Sequence, residues 1–234
     1  MTPHISCDKL DIASIVIMPG DPKRVEYIVK KYLTDYKLVN DVRKETAYTG
    51  YYKGKRVTVF SSGMGIPSMG IYSYELFKYY GVDVIIRIGS AGAYTTDLKL
   101  NDIQLVSESY STSNYMVELN NIDNNIVSSD KSLNDVILST SKELKMDIKI
   151  GRIHSTEAFY NNLDIREVYD KYNCMSVEME SYSLLANAMY LGKKASCLLT
   201  ISDSLITKEQ LSSIERETTF DKMIILSLES SLKL

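Results

Sequence analysis

Short apolar runs alternate along the chain with segments whose apolar residues recur at helical spacing. Residues 15–18 and 84–88 are almost wholly apolar and β-branched, and glycine follows each run closely. Leu133, Val136, Ile137, Thr140 and Leu144 instead fall on one face of a helix. This alternation predicts an α/β fold, in which a central mixed, largely parallel sheet lies between helical layers.

Punctuating residues place the boundaries of several elements. Asp21 and Pro22 are typical of a helix N-cap followed by proline in the first turn, and Gly81 is expected to end a helix over residues 68–80. Further strands are predicted at 56–60, 102–106, 148–153, 175–177 and 196–201, and further helices at 180–191 and at the C-terminus. No repeat or long linker interrupts the pattern, so residues 1–234 are expected to form one domain.

Composition narrows the class of protein. The chain has 234 residues and a net charge of −3, so no overall positive field favours nucleic acid. Its three cysteines form no CxxC pair, which argues against a disulfide framework and a structural zinc site. With two histidines, His4 and His154, no metal-ligand cluster is apparent, and His154 is expected to be structural. No signal peptide or membrane span is apparent, so a cytoplasmic protein is expected.

Two predicted strand ends carry groups suited to an anion. In α/β sheets, ligands bind beyond the carboxyl ends of the strands. Gly20 and Arg24 follow the first strand, where a helix N-terminus favours phosphate. Taken alone, a plain turn with a surface arginine explains them better, because Gly-Asp-Pro turns are common. Arg87 lies within an apolar strand that runs into a predicted turn, 89–92, whose backbone and Ser90 hydroxyl suit an anion. A buried arginine–carboxylate pair is the alternative.

Two further strand ends carry carboxylates. Glu178 and Glu180 lie where a strand becomes a helix, and could accept hydrogen bonds from sugar hydroxyls or simply favour the helix dipole. Asp203 directly follows a buried strand and could be an acid or a helix cap. Each signal is weak alone. Together the four strand ends predict an anion site, a polyol site and a carboxylic acid in one cleft.

The same segments carry a family resemblance that covers nearly the whole chain. The segments that carry it are 2–5, 18–22, 40–43, 63–67, 86–90, 177–180, 202–203 and 215–220. In this order they resemble the bacterial-type hexameric purine nucleoside phosphorylases of the nucleoside phosphorylase family. Ala91 stands where a cysteine is frequent in this family, and Ser204 stands where a histidine is frequent. Residues 110–125 match the family pattern poorly.

The resemblance implies reversible phosphorolysis of purine ribonucleosides and 2′-deoxyribonucleosides, without a cofactor and with inorganic phosphate as co-substrate. It implies dimers with shared active sites, assembled into a hexamer. The implied catalytic residues are Asp203, which would protonate the purine at N7, and Arg216, which would assist it. The implied binding residues are Gly20, Arg24, Arg43, Arg87 and Ser90 for phosphate; His4, Met179 and Glu180 for ribose; and Phe159, Val177, Glu178 and Ser202 for the base. His4 and Arg43 would come from the neighbouring subunit.

Three other functions use related features. A methylthioadenosine or S-adenosylhomocysteine nucleosidase shares the Met-Glu and Ser-Asp motifs but has no use for Arg24, Arg43 and Arg87 together. A uridine phosphorylase would need amide and arginine groups for the pyrimidine, where this chain has Asp203. A non-catalytic nucleoside-binding protein should have lost the acid or the phosphate set.

Overall fold

A ten-stranded mixed sheet organises the chain in a computed structural model that describes residues 1–212, 215 and 220–234. The strands are β1 (Ile15–Pro19), β2 (Thr34–Asn40), β3 (Ala47–Tyr52), β4 (Lys55–Phe60), β5 (Val84–Ala93), β6 (Ile103–Tyr110), β7 (Ile126–Ser128), β8 (Ile148–Ser155), β9 (Cys174–Glu178) and β10 (Lys194–Ser204). Their order is β10-β6-β8-β9-β5-β1-β4-β3-β2, and β7 pairs with β6. Because β10 also pairs with β5, the strands β5, β10, β6, β8 and β9 close into a ring.

Helices cover both faces of this sheet. They are α1 (Pro22–Tyr32), α2 (Ile66–Tyr79), α3 (Tyr115–Asn120), α4 (Lys131–Glu143), α5 (Ile165–Tyr172), α6 (Ser181–Leu191) and α7 (Asp221–Ser231), with single 3₁₀ turns at Lys9–Asp11 and Val42–Lys44. None of the helices in the described part of the chain combines the length and apolarity needed to cross a membrane.

Successive residues of the central strands point to opposite faces and so build two cores. Ile15 and Ile17 of β1 pack in a core with apolar residues of α1, α4 and α7. Val16 and Met18 pack in a second core with residues of α2 and α6. The predicted three-layer α/β fold is therefore confirmed. Its parallel pairings are β1–β4, β1–β5, β5–β10, β6–β8 and β8–β9, and the other pairings are antiparallel.

The predicted turn at 89–92 is wrong, because this stretch continues β5. It pairs with β10 as far as Ala93, and Gly92 and Ala93 also pair with β9. Small residues are needed there because a Cβ on Gly89 would lie 2.8 Å from the Arg87 guanidinium and 3.0 Å from Leu199 of β10. The glycines therefore accommodate close strand packing, and the backbone nest that we expected around Ser90 is absent.

Other boundaries agree more closely. Asp21 caps α1 by accepting the Lys23 backbone N–H at 2.8 Å, as predicted. Glu180, predicted inside a helix, is instead the residue that precedes α6. Asp203 is not a helix cap, since it lies inside β10. The sequence pattern did not predict β2, β3, β7, α3 or α5. Of these, β2 is largely exposed and carries no apolar run.

Candidate active site

Arg87 is the centre of a buried ionic cluster. It lies on β5 opposite Met18 of β1, and its side chain points to the face covered by α2 and α6. Its Nε donates to Glu178 Oε2 at 3.0 Å, and one terminal nitrogen, Nη2, donates to Glu180 Oε2. The cluster joins β5 to the junction between β9 and α6. The arginine–carboxylate pair considered from the sequence is therefore present.

One donor of this arginine has no partner among the described residues. Arg87 is 3% exposed, and its Nη1 atom is buried without a hydrogen bond. A buried donor in this state costs roughly 1–3 kcal/mol. An anion beside Nη1 would remove that cost, so the pairing with carboxylates does not exclude a phosphate role for Arg87.

The two carboxylates of the cluster differ in how many donors they accept. Glu178 accepts from the Glu180 backbone N–H at 2.9 Å, and from the Ser181 N–H at 3.0 Å and Ser181 hydroxyl at 2.6 Å, as well as from Arg87. Glu180 accepts from the Gly65 N–H at 2.7 Å and from Arg87. Glu178 thus anchors the first turn of α6, and its predicted contact with the base stays a prediction.

These contacts separate the proton affinities of the two acids. Burial disfavours the charge of Glu178, but Arg87 and the donors of Ser181 outweigh it and hold the pKa of Glu178 below its ordinary value. Burial raises the pKa of Glu180, and the neighbouring Glu178 charge adds to this despite the opposing effect of Arg87. Glu180 is therefore the acid whose hydrogen bonding can more readily be rearranged by a ligand.

Gly20 lies at a close approach of two backbone segments. It follows β1 directly, and its carbonyl accepts the Gly63 N–H at 3.1 Å. The Pro19 carbonyl accepts the Ser62 N–H at 2.9 Å. A Cβ on Gly20 would lie 3.2 Å from the Gly63 carbonyl oxygen, so little space remains for a larger residue. The ends of β1 and β4 thus meet next to the strand that carries Arg87.

Arg24 lies in the first turn of α1, beyond Gly20. Its guanidinium carbon lies 4.8 Å from the centroid of the Phe220 ring, a cation–π distance. Phe220 is buried and precedes α7. The C-terminal helix therefore helps to position this arginine. Arg216, the predicted partner of Asp203, lies outside the described residues.

Asp203 lies near the end of β10, at an irregularity in the strand. Its register partner is Gly92 of β5, which in turn pairs with Val177 of β9. The Ser202 hydroxyl donates to Asp203 Oδ1 at 2.6 Å. The closeness of the strands places a Cβ built on Gly92 only 2.7 Å from Asp203 Oδ2. Two of the predicted base-site residues, Ser202 and Val177, therefore lie close to the predicted acid, Asp203.

Ser90, Met179 and Phe159 occupy three different settings. Ser90 is partly exposed on β5 and pairs in register with Thr200. Met179 is partly buried between β9 and α6. Phe159 is 73% exposed after β8 and touches Tyr160 edge-on, with the ring centroids 5.1 Å apart. Stacking of Phe159 on a base stays a prediction.

His4 lies near Tyr72 of α2, and Asn40 links it to the segment that carries Arg43. The His4 and Tyr72 ring centroids are 6.1 Å apart. Burial raises the pKa of Tyr72; the charge of Glu45 adds to this, and the charge of Arg43 opposes it. Asn40 links the two segments by donating to the carbonyl oxygens of Glu45, at 2.8 Å, and His4, at 3.5 Å. The two residues predicted to serve a neighbouring subunit thus lie on linked segments.

Several supporting residues were not predicted from the sequence. Gly65, at the start of α2, supplies the N–H that holds Glu180, and Ser181 supplies two donors to Glu178. The sequence 65–67, glycine followed by isoleucine and proline, carried the signal for a helix start. Among the described residues, no group of three histidine, cysteine, aspartate or glutamate side chains is arranged to hold a metal ion.

Comparison with known proteins adds a family to this geometry. Residues 14–227 match the model of the phosphorylase superfamily. Curated relatives named "Purine nucleoside phosphorylase DeoD-type" are similar along the whole chain. Those of Mycoplasma genitalium and Mycoplasma pneumoniae are 46% and 41% identical, with 100% of both chains covered. The relative from Colwellia psychrerythraea is 42% identical over 99% of each chain.

Proposed function

Since the chain belongs to the phosphorylase superfamily, we propose that it is a purine nucleoside phosphorylase. It catalyses the reversible phosphorolysis of purine ribonucleosides and 2′-deoxyribonucleosides. The products are the free purine base and (2-deoxy)ribose 1-phosphate. The observation that carries this proposal is the position of Arg87, whose Nη1 is buried without a partner among the described residues. Arg87 lies on β5 beside the end of β1, which leads to Gly20. Asp203 lies on β10, which pairs with β5.

Each step of the reaction has a group suited to it. Phosphate, bound by Gly20, Arg24, Arg87, Ser90 and the neighbouring subunit's Arg43, attacks C1′ of the ribose. The C1′–N9 bond breaks, and its electron pair passes to the purine. Asp203 gives its proton to N7, so that the base leaves as a neutral molecule. The negative phosphate stabilises the positive charge that develops on the sugar.

The remaining residues fix the nucleoside. Glu180 and Met179 hold the ribose, and His4 of the neighbouring subunit holds its 5′ end. Phe159, Val177, Glu178 and Ser202 line the base, and Arg216 stabilises the carboxylate of Asp203 once its proton has left. This arrangement uses an acid rather than an amide at N7, so 6-amino and 6-oxo purines are both accepted.

The wider setting belongs to the same proposal. The chain forms a single domain over residues 1–234. Dimers share their active sites, and three dimers assemble into a hexamer. The enzyme needs no cofactor and acts in the cytoplasm, in purine salvage.

Release of free base from adenosine and inosine, measured with and without inorganic phosphate, tests this proposal. We expect release of both bases only when phosphate is present. Release that is equally fast without phosphate would identify a nucleosidase. A protein that binds adenosine but releases no base under either condition would be a binding protein.

A further inference from the structure

Glu75 of α2 holds two residues of the N-terminal segment with one carboxylate. Its Oε1 lies 2.7 Å from His4 Nδ1, and its Oε2 accepts the Thr2 hydroxyl. Glu75 itself is 8% exposed. The segment is further fixed where the Tyr80 hydroxyl donates to the Ile5 carbonyl at 2.6 Å. The N-terminal residues are therefore tied to α2 at defined points, although they form no helix or strand.

The imidazole held in this way faces an open cleft. His4, Glu75 and Tyr74 are among the residues that line a cleft of about 1060 Å³ on the surface of the subunit. The His4 side chain keeps 27% of its surface exposed, whereas that of Glu75 keeps 10%. The carboxylate thus lies behind the imidazole, on the protein side, and the ring remains accessible to a molecule that enters the cleft.

The contact also determines which ring nitrogen carries the hydrogen. A carboxylate oxygen accepts a hydrogen bond, so His4 Nδ1 is the donor to Glu75. In a neutral imidazole with hydrogen on Nδ1, Nε2 is an acceptor. Nε2 as an acceptor can pair with a hydroxyl group of the ligand, which donates a hydrogen bond. A methyl group or a thioether at the same position donates none, so Nε2 would have no partner in such a ligand.

We propose that Glu75 is a positioning residue that fixes the ring and the tautomer of His4, so that Nε2 accepts the 5′-hydroxyl of the nucleoside. Glu75 thereby makes the enzyme selective for nucleosides with a free 5′-hydroxyl over 5′-deoxy and 5′-alkylthio analogues. This inference rests on the proposed function, in which His4 serves the ribose of the neighbouring subunit.

The Glu75→Gln variant tests the inference. An amide can either accept or donate, so it no longer selects one tautomer of His4. We expect kcat/KM for adenosine to fall roughly threefold to tenfold, the worth of one hydrogen bond, and that for 5′-deoxyadenosine to change by less than about twofold. The ratio of the two kcat/KM values is the readout, because a general loss of folded enzyme lowers the apparent kcat/KM for both substrates equally.

Two further variants isolate the role of the pair. In a His4→Ala background, Glu75→Gln should have no further effect on the ratio, since the residue on which it acts is gone. Glu118→Gln removes another carboxylate of the same cleft. The carboxylate that the side chains of Thr2 and His4 contact is that of Glu75 and not that of Glu118, so Glu118→Gln should leave the ratio as in the wild type.

The outcomes distinguish the two proposals. A wild-type protein that releases no adenine in the presence of phosphate refutes the proposed function. A wild-type protein that is active, with an adenosine to 5′-deoxyadenosine ratio that Glu75→Gln leaves unchanged, refutes the role of Glu75 alone. An equal effect of Glu75→Gln in the presence and absence of His4 also refutes it.

Discussion

Gly92→Ala should displace Asp203 while leaving the fold intact. The added Cβ would lie 2.7 Å from Asp203 Oδ2 and 2.5 Å from Leu205 Cδ1, whereas Val177 Cγ1 would be at an ordinary 3.5 Å. Ordinary contacts between such atoms are about 3.5–4.0 Å, so each side chain must move by roughly 1 Å. Both crowded atoms are side-chain ends, which can rotate away, and the backbone pairing with β9 and β10 can persist.

The expected magnitudes differ for stability and for activity. Crowding of this kind costs about 1–3 kcal/mol of unfolding free energy. A misplacement of about 1 Å in a catalytic group costs about 100-fold in rate. We therefore expect Gly92→Ala to lower kcat/KM for inosine by about two orders of magnitude, measured by release of hypoxanthine in excess phosphate, in a protein that still melts cooperatively.

Gly151→Ala is the matched control. Its Cβ would meet Met175 Sδ at 2.2 Å, a clash of similar severity with a flexible side chain on the neighbouring strand. This variant should lose comparable stability and keep the wild-type kcat/KM. If Gly92→Ala has wild-type activity at a reduced melting temperature, Asp203 is not the group on which protonation of the base depends.

Three other measurements follow from the buried groups. Glu178→Gln leaves Arg87 facing one fewer charge and should lower the unfolding free energy in urea by about 3 kcal/mol; an unchanged midpoint would contradict the structural role of this pair. Burial lowers the pKa of His154 to about 4, so the unfolded chain binds a proton between pH 6.5 and 4 that the native protein excludes. Stability should therefore fall as the pH drops through this window, by up to about 3 kcal/mol, and His154→Gln should flatten the dependence. Burial raises the pKa of the Cys174 thiol to about 12, so thiol reagents at pH 8 should modify the partly exposed Cys7 first, and early labelling of Cys174 would show that β9 opens.

The sequence predicted the layers of the fold better than the path of its strands. Periodicity finds β1 and α1, because apolar runs and a capped helix start are local signals. It misses β2, whose residues are mostly exposed, and it mistakes the small residues at 89–92 for a turn. The packing that requires those small residues comes from β9 and β10, which lie far away in the sequence.

The sequence predicted which types of residue lie in the candidate site better than it predicted the contacts between them. Arg87 was expected to face either a carboxylate pair or an anion, and the structure has the pair together with one unpartnered donor. The different pKa values of Glu178 and Glu180 depend on hydrogen bonds from Ser181 and Gly65. The spacing of the two acids in the sequence does not predict these hydrogen bonds. The link between His4 and Glu75 joins residues 71 positions apart and has no local signature.

The fate of inorganic phosphate distinguishes phosphorolysis from hydrolysis of the nucleoside. The protein is incubated with inosine and inorganic phosphate, and the products are followed by ³¹P NMR alongside a chromatographic assay of hypoxanthine. We expect a new phosphate ester, ribose 1-phosphate, formed in equimolar amount with hypoxanthine. Free ribose with the inorganic phosphate unchanged would contradict it.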